Sequence, residues 1–170
     1  MHERLSDTKE FFLDMLYLFG VFLSSGYSVP PRYACDRESY RRFMQEHERI
    51  EARKKLYELK KREYLNIKAE GNKVFFMLTE KGILEALKQE IMSTEKLLPD
   101  NYCCLVSFDI PENVKKTRNV FRNFLKKVGF KQVHLSVWKS KADVVKPLSE
   151  LVRRMNIEKW VQVYKAKAVT

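Results

Sequence analysis

The chain has 170 residues, enough for one large domain or two small ones with a core each. Its net charge of +11 points to a polyanionic partner, either nucleic acid or an anionic membrane surface. Its three cysteines form no CxxC pair and have no histidine at ligand spacing, which argues against structural zinc and for a reduced, cytoplasmic protein.

The first ten residues, "MHERLSDTKE", carry a net charge of −1, the wrong sign for a signal peptide. The apolar run Phe11 to Leu23 is too short to span a bilayer and contains Asp14, so a buried helix is expected there and no membrane association. Ser6 or Asp7 can cap this helix, and Gly26 with Pro30-Pro31 ends it after about Ser24. A second helix is expected after Asp36, over "RESYRRFMQEH". A third follows in "RIEARKKLYELKKREYL", where Ala52, Leu56 and Leu59 stand at i, i+4 and i+7 and form one apolar stripe. The runs "YLNIKA" and "KVFFML" flank Glu70, Gly71 and Asn72, a hairpin whose tight turn needs the positive φ that Gly71 supplies. Thr79 caps a closing helix, "EKGILEALKQEI".

Three helices, a hairpin and a closing helix are the order of a winged helix-turn-helix, in which the third helix enters the major groove and the hairpin lies over phosphates. Opposite the apolar stripe lie Arg49, Arg53, Lys54 and Lys61, and the hairpin tip adds Lys73. These are the candidate contacts to double-stranded DNA, with arginine able to read guanine through a bidentate bond. A merely solvated basic face is the competing account, since Glu51 with Lys55 and Glu58 with Arg62 are ordinary i, i+4 pairs.

Pro99 breaks the helical pattern in "STEKLLPDN" and sets the expected division between domains, 1–98 and 99–170. The charge divides with it: residues 1–98 hold 18 Lys/Arg against 16 Asp/Glu, a net of +2, and residues 99–170 hold 15 against 6, a net of +9. In the second domain "YCCLVSF" is an apolar strand, with Cys103 and Cys104 pointing to opposite faces. A helix follows, expected to turn Val120, Phe121, Phe124, Leu125 and Val128 inward and to end at Gly129. In "KQVHLSVW" Val133, Leu135 and Val137 alternate with other residues, which predicts a strand region with one buried face. A helix over "VVKPLSELVRRM" and a strand in "KWVQVYKAKAV" complete the chain. With the middle strand region split in two, the order is βαββαβ, a ferredoxin-like α+β domain with helices on one face of the sheet. The uncovered face then needs a partner, and a homodimer is expected through it.

"VSFDIPE", the basic helix after it, Gly129-Phe130 and "SVW" at Ser136 to Trp138 resemble, in order and spacing, the ferredoxin-like domain of the CRISPR spacer-adaptation nucleases, the Cas-two family. They are more similar still to the central domain of the PaaX-type transcriptional repressors, which place that fold behind a winged helix. The stretch "ARKKLYELKKREYLNIKAEGNKVFFMLTEKG" is similar to those repressors' recognition helix, wing and closing helix. The chain departs from the nuclease arm in having a winged helix and in Trp138, where those proteins keep phenylalanine.

The resemblance implies a DNA-binding repressor that needs no cofactor. The alternative it implies is a metal-dependent endonuclease or spacer-adaptation subunit, in which Asp109 is the catalytic and metal-binding residue. There two copies of Asp109 would face each other across a dimer axis and hold one Mg²⁺, an ion that suits carboxylates and water. Against that stands a simpler role, since a lone Asp at a strand end commonly accepts hydrogen bonds from the turn that follows, and Pro111 and Glu112 suit the start of a helix. His134 can be structural, and Trp138 and Trp160 can simply pack. Lys115, Lys116, Arg118, Arg122, Lys126 and Lys127 make the helix after Asp109 either a second track for the DNA backbone or a solubilising face.

Overall fold

The computed structural model describes residues 32–46 and 49–167. The helix expected over residues 7–24 lies outside them. The chain packs as two compact units, Met1–Gln89 and Glu90–Thr170.

In the first unit, strand β1 (Arg32–Asp36) leads into helix α1 (Arg37–Glu46) and helix α2 (Arg49–Lys61). Strands β2 (Leu65–Glu70) and β3 (Lys73–Leu78) then form the expected hairpin, with Gly71 at φ 56° in its turn. β1 was not anticipated. It pairs antiparallel with β3, so the sheet runs β1-β3-β2 and the hairpin is anchored on one side. β3 alternates as a half-covered strand should: Val74, Phe76 and Leu78 are buried, and Leu56 and Leu59 of α2 are buried with them.

Helix α3 (Glu80–Ser93) starts where sequence placed it. The Thr79 hydroxyl accepts the Gly82 N–H at 3.0 Å, satisfying a donor that the first turn leaves without a partner. Gly82 itself is required by a close approach: a Cβ there would lie 1.9 Å from the Tyr64 carbonyl oxygen. Backbone cannot yield as a flexible side chain can, which explains a glycine inside a helix at a propensity cost of about 1 kcal/mol.

The second unit contains β4 (Tyr102–Phe108), a 3-10 turn (Glu112–Val114), α4 (Lys115–Lys127), β5 (Lys131–His134), β6 (Val137–Ser140), α5 (Val145–Arg154) and β7 (Val161–Lys167). The sheet order is β5-β6-β4-β7 with every pair antiparallel, the βαββαβ ferredoxin-like topology. Cys104, Val106 and Phe108 of β4, with Trp138 and Val161 of its neighbours, form the sheet side of the core. Phe121 and Leu125 of α4 and Leu148, Leu151 and Val152 of α5 form the helix side, and the Phe108 and Phe121 rings meet edge to face at 5.6 Å. Cys104 and Cys103 do point to opposite faces, Cys104 fully buried and Cys103 half-buried. Burial, with the neighbouring Cys103 and Asp143, pushes the Cys104 thiol up to about 12, so it stays protonated and inert.

Two expectations for this unit fail in part. Val120 is 58% exposed rather than turned inward, because Phe121 and Leu125 already fill the inner stripe of α4. Val133 and Leu135 are also exposed, at 55% and 70%. β5 is an edge strand whose pairing slips between Gln132 and His134, and Leu135 falls in the turn to β6, so the apolar alternation never meets a covering layer. Gly129, at φ 84°, ends α4 as expected.

On the face away from the helices lie Leu105, half-buried, and its cross-strand neighbours Lys139 and Tyr164, with Tyr164 47% exposed.

Candidate nucleic-acid interface and the Asp109 turn

Burial of Leu56 and Leu59 fixes the roll of α2, and the helix period then turns Arg53, Lys54, Tyr57 and Lys61 outward, where all four are exposed. Arg49 opens the same helix. Lys73 is exposed at the base of the hairpin turn, opposite Glu70. Its neighbour Lys68 is held to Glu70 at 2.7 Å, which neutralises part of the strand behind the tip.

Arg53 is not simply solvated. It lines a cavity of about 360 Å³ together with Arg37, Arg41, Tyr40 and Gln45 of α1 and Ala69 and Val74 of the hairpin. Three arginines lining one concavity favour an anion such as a phosphate there. Arg41 is also 3.6 Å from Glu38, an exposed pair that contributes little. Sequence reasoning missed Arg37 and Arg41. The signal was present, since Arg37, Arg41 and Gln45 stand at i, i+4 and i+8 on one helix face.

Asp109 follows β4 directly and is exposed. Its backbone N–H donates to the Trp160 carbonyl at 2.9 Å, which ties the end of β4 to the start of β7. The expectation that its side chain shapes the turn finds no such contact: among the described residues the Asp109 carboxylate has no hydrogen bond or ion pair. It opens into a shallow cleft lined by Ser107, Ser136, Val137, Lys159 and Gln162.

The turn is held instead by arginines of α4. Arg118 donates to Glu112 Oε1 at 2.6 Å and reaches the Ile110 carbonyl at 3.5 Å, with only 18% of its side chain exposed. This hydrogen bond and charge hold the Glu112 carboxyl below the usual carboxylate range. One turn later Arg122 donates to the Leu135 carbonyl at 3.2 Å and lies over the Phe108 ring, 5.5 Å from its centroid. Two of the six basic residues of α4 are thus clamps on the 110–112 and 135 turns, while Lys115, Lys116, Lys126 and Lys127 remain exposed.

A metal at Asp109 can be weighed on donors. Among the described residues no three His, Cys, Asp or Glu side chains are grouped to hold an ion, and one protomer offers a single carboxylate here. Mg²⁺ uses one or two carboxylates and fills its remaining positions with water or phosphate. The site would therefore fit only if a second copy brought its own Asp109. His134 is exposed, and neither Cys103 nor Cys104 is bonded to a partner cysteine. Among the described residues no helix is long and apolar enough to cross a membrane.

No curated protein matches the chain. Residues 99–170 match the family model of the PaaX protein central Cas2-like domain, the same stretch that carries the βαββαβ topology and the Asp109 turn. Over this stretch the chain is similar to the PaaX-type family.

Proposed function

We propose that the chain is a DNA-binding transcription regulator of the repressor kind, acting as a homodimer on a pseudo-palindromic site. The first unit serves as a winged helix-turn-helix, with α2 as recognition helix and the β2–β3 hairpin as wing. Arg53 and Lys54 carry the main contacts in the groove, while Arg49, Lys61 and Lys73 neutralise backbone phosphates. The observation that carries this is the sequence of surfaces: a helix with its apolar stripe buried and Arg53, Lys54 and Lys61 outward, followed at once by a hairpin with Lys73 at its turn. A solubilising face does not require an arginine-lined cavity behind it, and Arg37 and Arg41 add positive potential where Arg53 emerges. Dimerisation uses the open sheet face around Leu105 and Tyr164, so that one dimer carries two recognition helices for two half-sites.

The test is selection of fragmented genomic DNA on the purified protein in chelator, followed by sequencing of bound fragments and incubation with Mg²⁺. Enrichment of a few inverted-repeat sites that survive the magnesium is the expected result. Diffuse enrichment followed by degradation would overturn it in favour of the second reading, a Mg²⁺-dependent endonuclease using Asp109. The exposed Asp109 carboxylate, without a partner among the described residues, is what favours that alternative. Cleavage that vanishes in Asp109→Ala would be its signature.

A further inference from the structure

We infer that the outer face of α4 is a second, sequence-independent binding surface for duplex DNA, carried by Lys115, Lys116, Lys126 and Lys127. This rests on the DNA-binding reading above but on a different unit and different residues. Between Glu112 and Asp143 the sequence contains no Asp or Glu, and Glu112 itself, bonded to Arg118, feels the charge of Lys115 but not of the other three lysines. Arg118 and Arg122 are turned to the Glu112, Ile110 and Leu135 groups, and that fixes the roll of the helix so that both lysine pairs face outward.

Helix stability does not explain the arrangement. Lys115 and Lys116 occupy the first turn, where the helix dipole disfavours cations, and that turn has no acid. A helix selected only to be soluble would gain from Asp or Glu there. The two pairs are eleven residues apart, about 16 Å along the axis at 1.5 Å per residue. Over that length a duplex carries roughly nine phosphates on its two strands. Between the pairs lie Asn119, Val120 and Asn123, all of modest size, with Asn119 and Asn123 exposed. Their amides can donate to phosphate oxygens, and no bulky side chain holds a backbone away.

The same face argues against other polyanions. Single strands are held by aromatic stacking, whereas Phe121 is 1% exposed and Phe124 half-buried. Insertion into a membrane surface needs a broad apolar face, and Val120 is the one large apolar side chain that α4 exposes strongly.

The experiment compares the full chain with its K115A/K116A/K126A/K127A variant on a random-sequence 30-base-pair duplex, titrated from low to high salt. Alanine favours helix, so the variant should fold, and its melting curve is recorded alongside. If four phosphate contacts are lost, the log–log salt dependence becomes shallower by about 3.5, and affinity near 0.1 M salt falls roughly tenfold to a hundredfold. An unchanged slope with an unchanged melting curve overturns the inference. So does a variant that loses binding to the matching single strand but keeps its affinity for duplex. Arg53→Ala, measured in parallel on a selected site, separates this surface from the proposed recognition helix. A weakened Arg53→Ala beside an unaffected quadruple variant sinks only the α4 surface, and the converse sinks only the role of α2.

Discussion

Two basic helices, α2 in the first unit and α4 in the second, differ in what they do with arginine. In α2 Arg53 points outward into an arginine-lined cavity, while in α4 Arg118 and Arg122 turn back onto their own unit and leave lysines outside. The planar guanidinium can fix a carbonyl or a carboxylate in a set geometry, or read a base edge; the ammonium is a mobile point charge. Net charge alone would have ranked the second unit first, at +8 against +3. Partners, rather than counts, separate a clamp from a contact.

The sharpest way to break that contrast is Arg118→Ala. It strips a side chain only 18% exposed from the turn, with its reach to the Ile110 carbonyl, while the solvent-exposed bond to Glu112 adds little. Loss of such part-buried packing should cost about 1–2 kcal/mol, for a unit of this size a fall of about 4 °C or more in Tm by thermal unfolding. No loss would mean that Arg118 belongs with the outward lysines.

Arg53→Ala should give the mirror image: stability within about 0.5 kcal/mol of the parent, and affinity for a selected site weaker by about 1–3 kcal/mol at fixed salt. An equal loss on selected and random sequence would make Arg53 a phosphate contact rather than a base reader.

Much of this was legible in the sequence where period and punctuation agree. The stripe Leu56 and Leu59, the Gly71 turn, the Thr79 cap and the Gly129 stop are local signals, and each appears in place. What failed required knowing the neighbours. β1 has no strong signal of its own and exists as a strand by pairing with β3. Val133 and Leu135 alternate like a buried strand but sit at a sheet edge and in a turn, which periodicity cannot tell. At the candidate sites, the outward residues of α2 followed from helix geometry. The division of α4 into clamps and free lysines did not, because it depends on carbonyls eight and thirteen residues away.

Asp109 sets a smaller test. With its side chain outside the turn's hydrogen bonding, Asp109→Ala should leave stability within about 0.5 kcal/mol, because exposed positions away from caps and networks rarely exceed that. A larger loss, read by chemical denaturation, would restore the turn-shaping role expected from "DIPE".

The smallest expected effect is the pH dependence of the Arg118 clamp. Arg118 holds the folded Glu112 carboxyl below its ordinary range, so the unfolded chain binds the proton more readily. The stabilisation is therefore fully present above the unfolded value, near 4.3, and is lost as pH falls through the lower folded one. Glu150 also has a lowered pKa: burial opposes its charge, but hydrogen bonds from Arg153 and Arg154 outweigh that. It would titrate in the same window, so the whole-protein curve cannot isolate the clamp. Comparing the parent with Glu112→Gln can, because Glu150 is common to both. The difference in Tm should be constant from neutral pH to about 5, shrink below about 4, and shrink also in high salt, since Glu112 lies in solvent. A difference that instead grew on acidification would mean that the turn is held without the ion pair, leaving the Ile110 carbonyl as the contact for which α4 turns Arg118 inward.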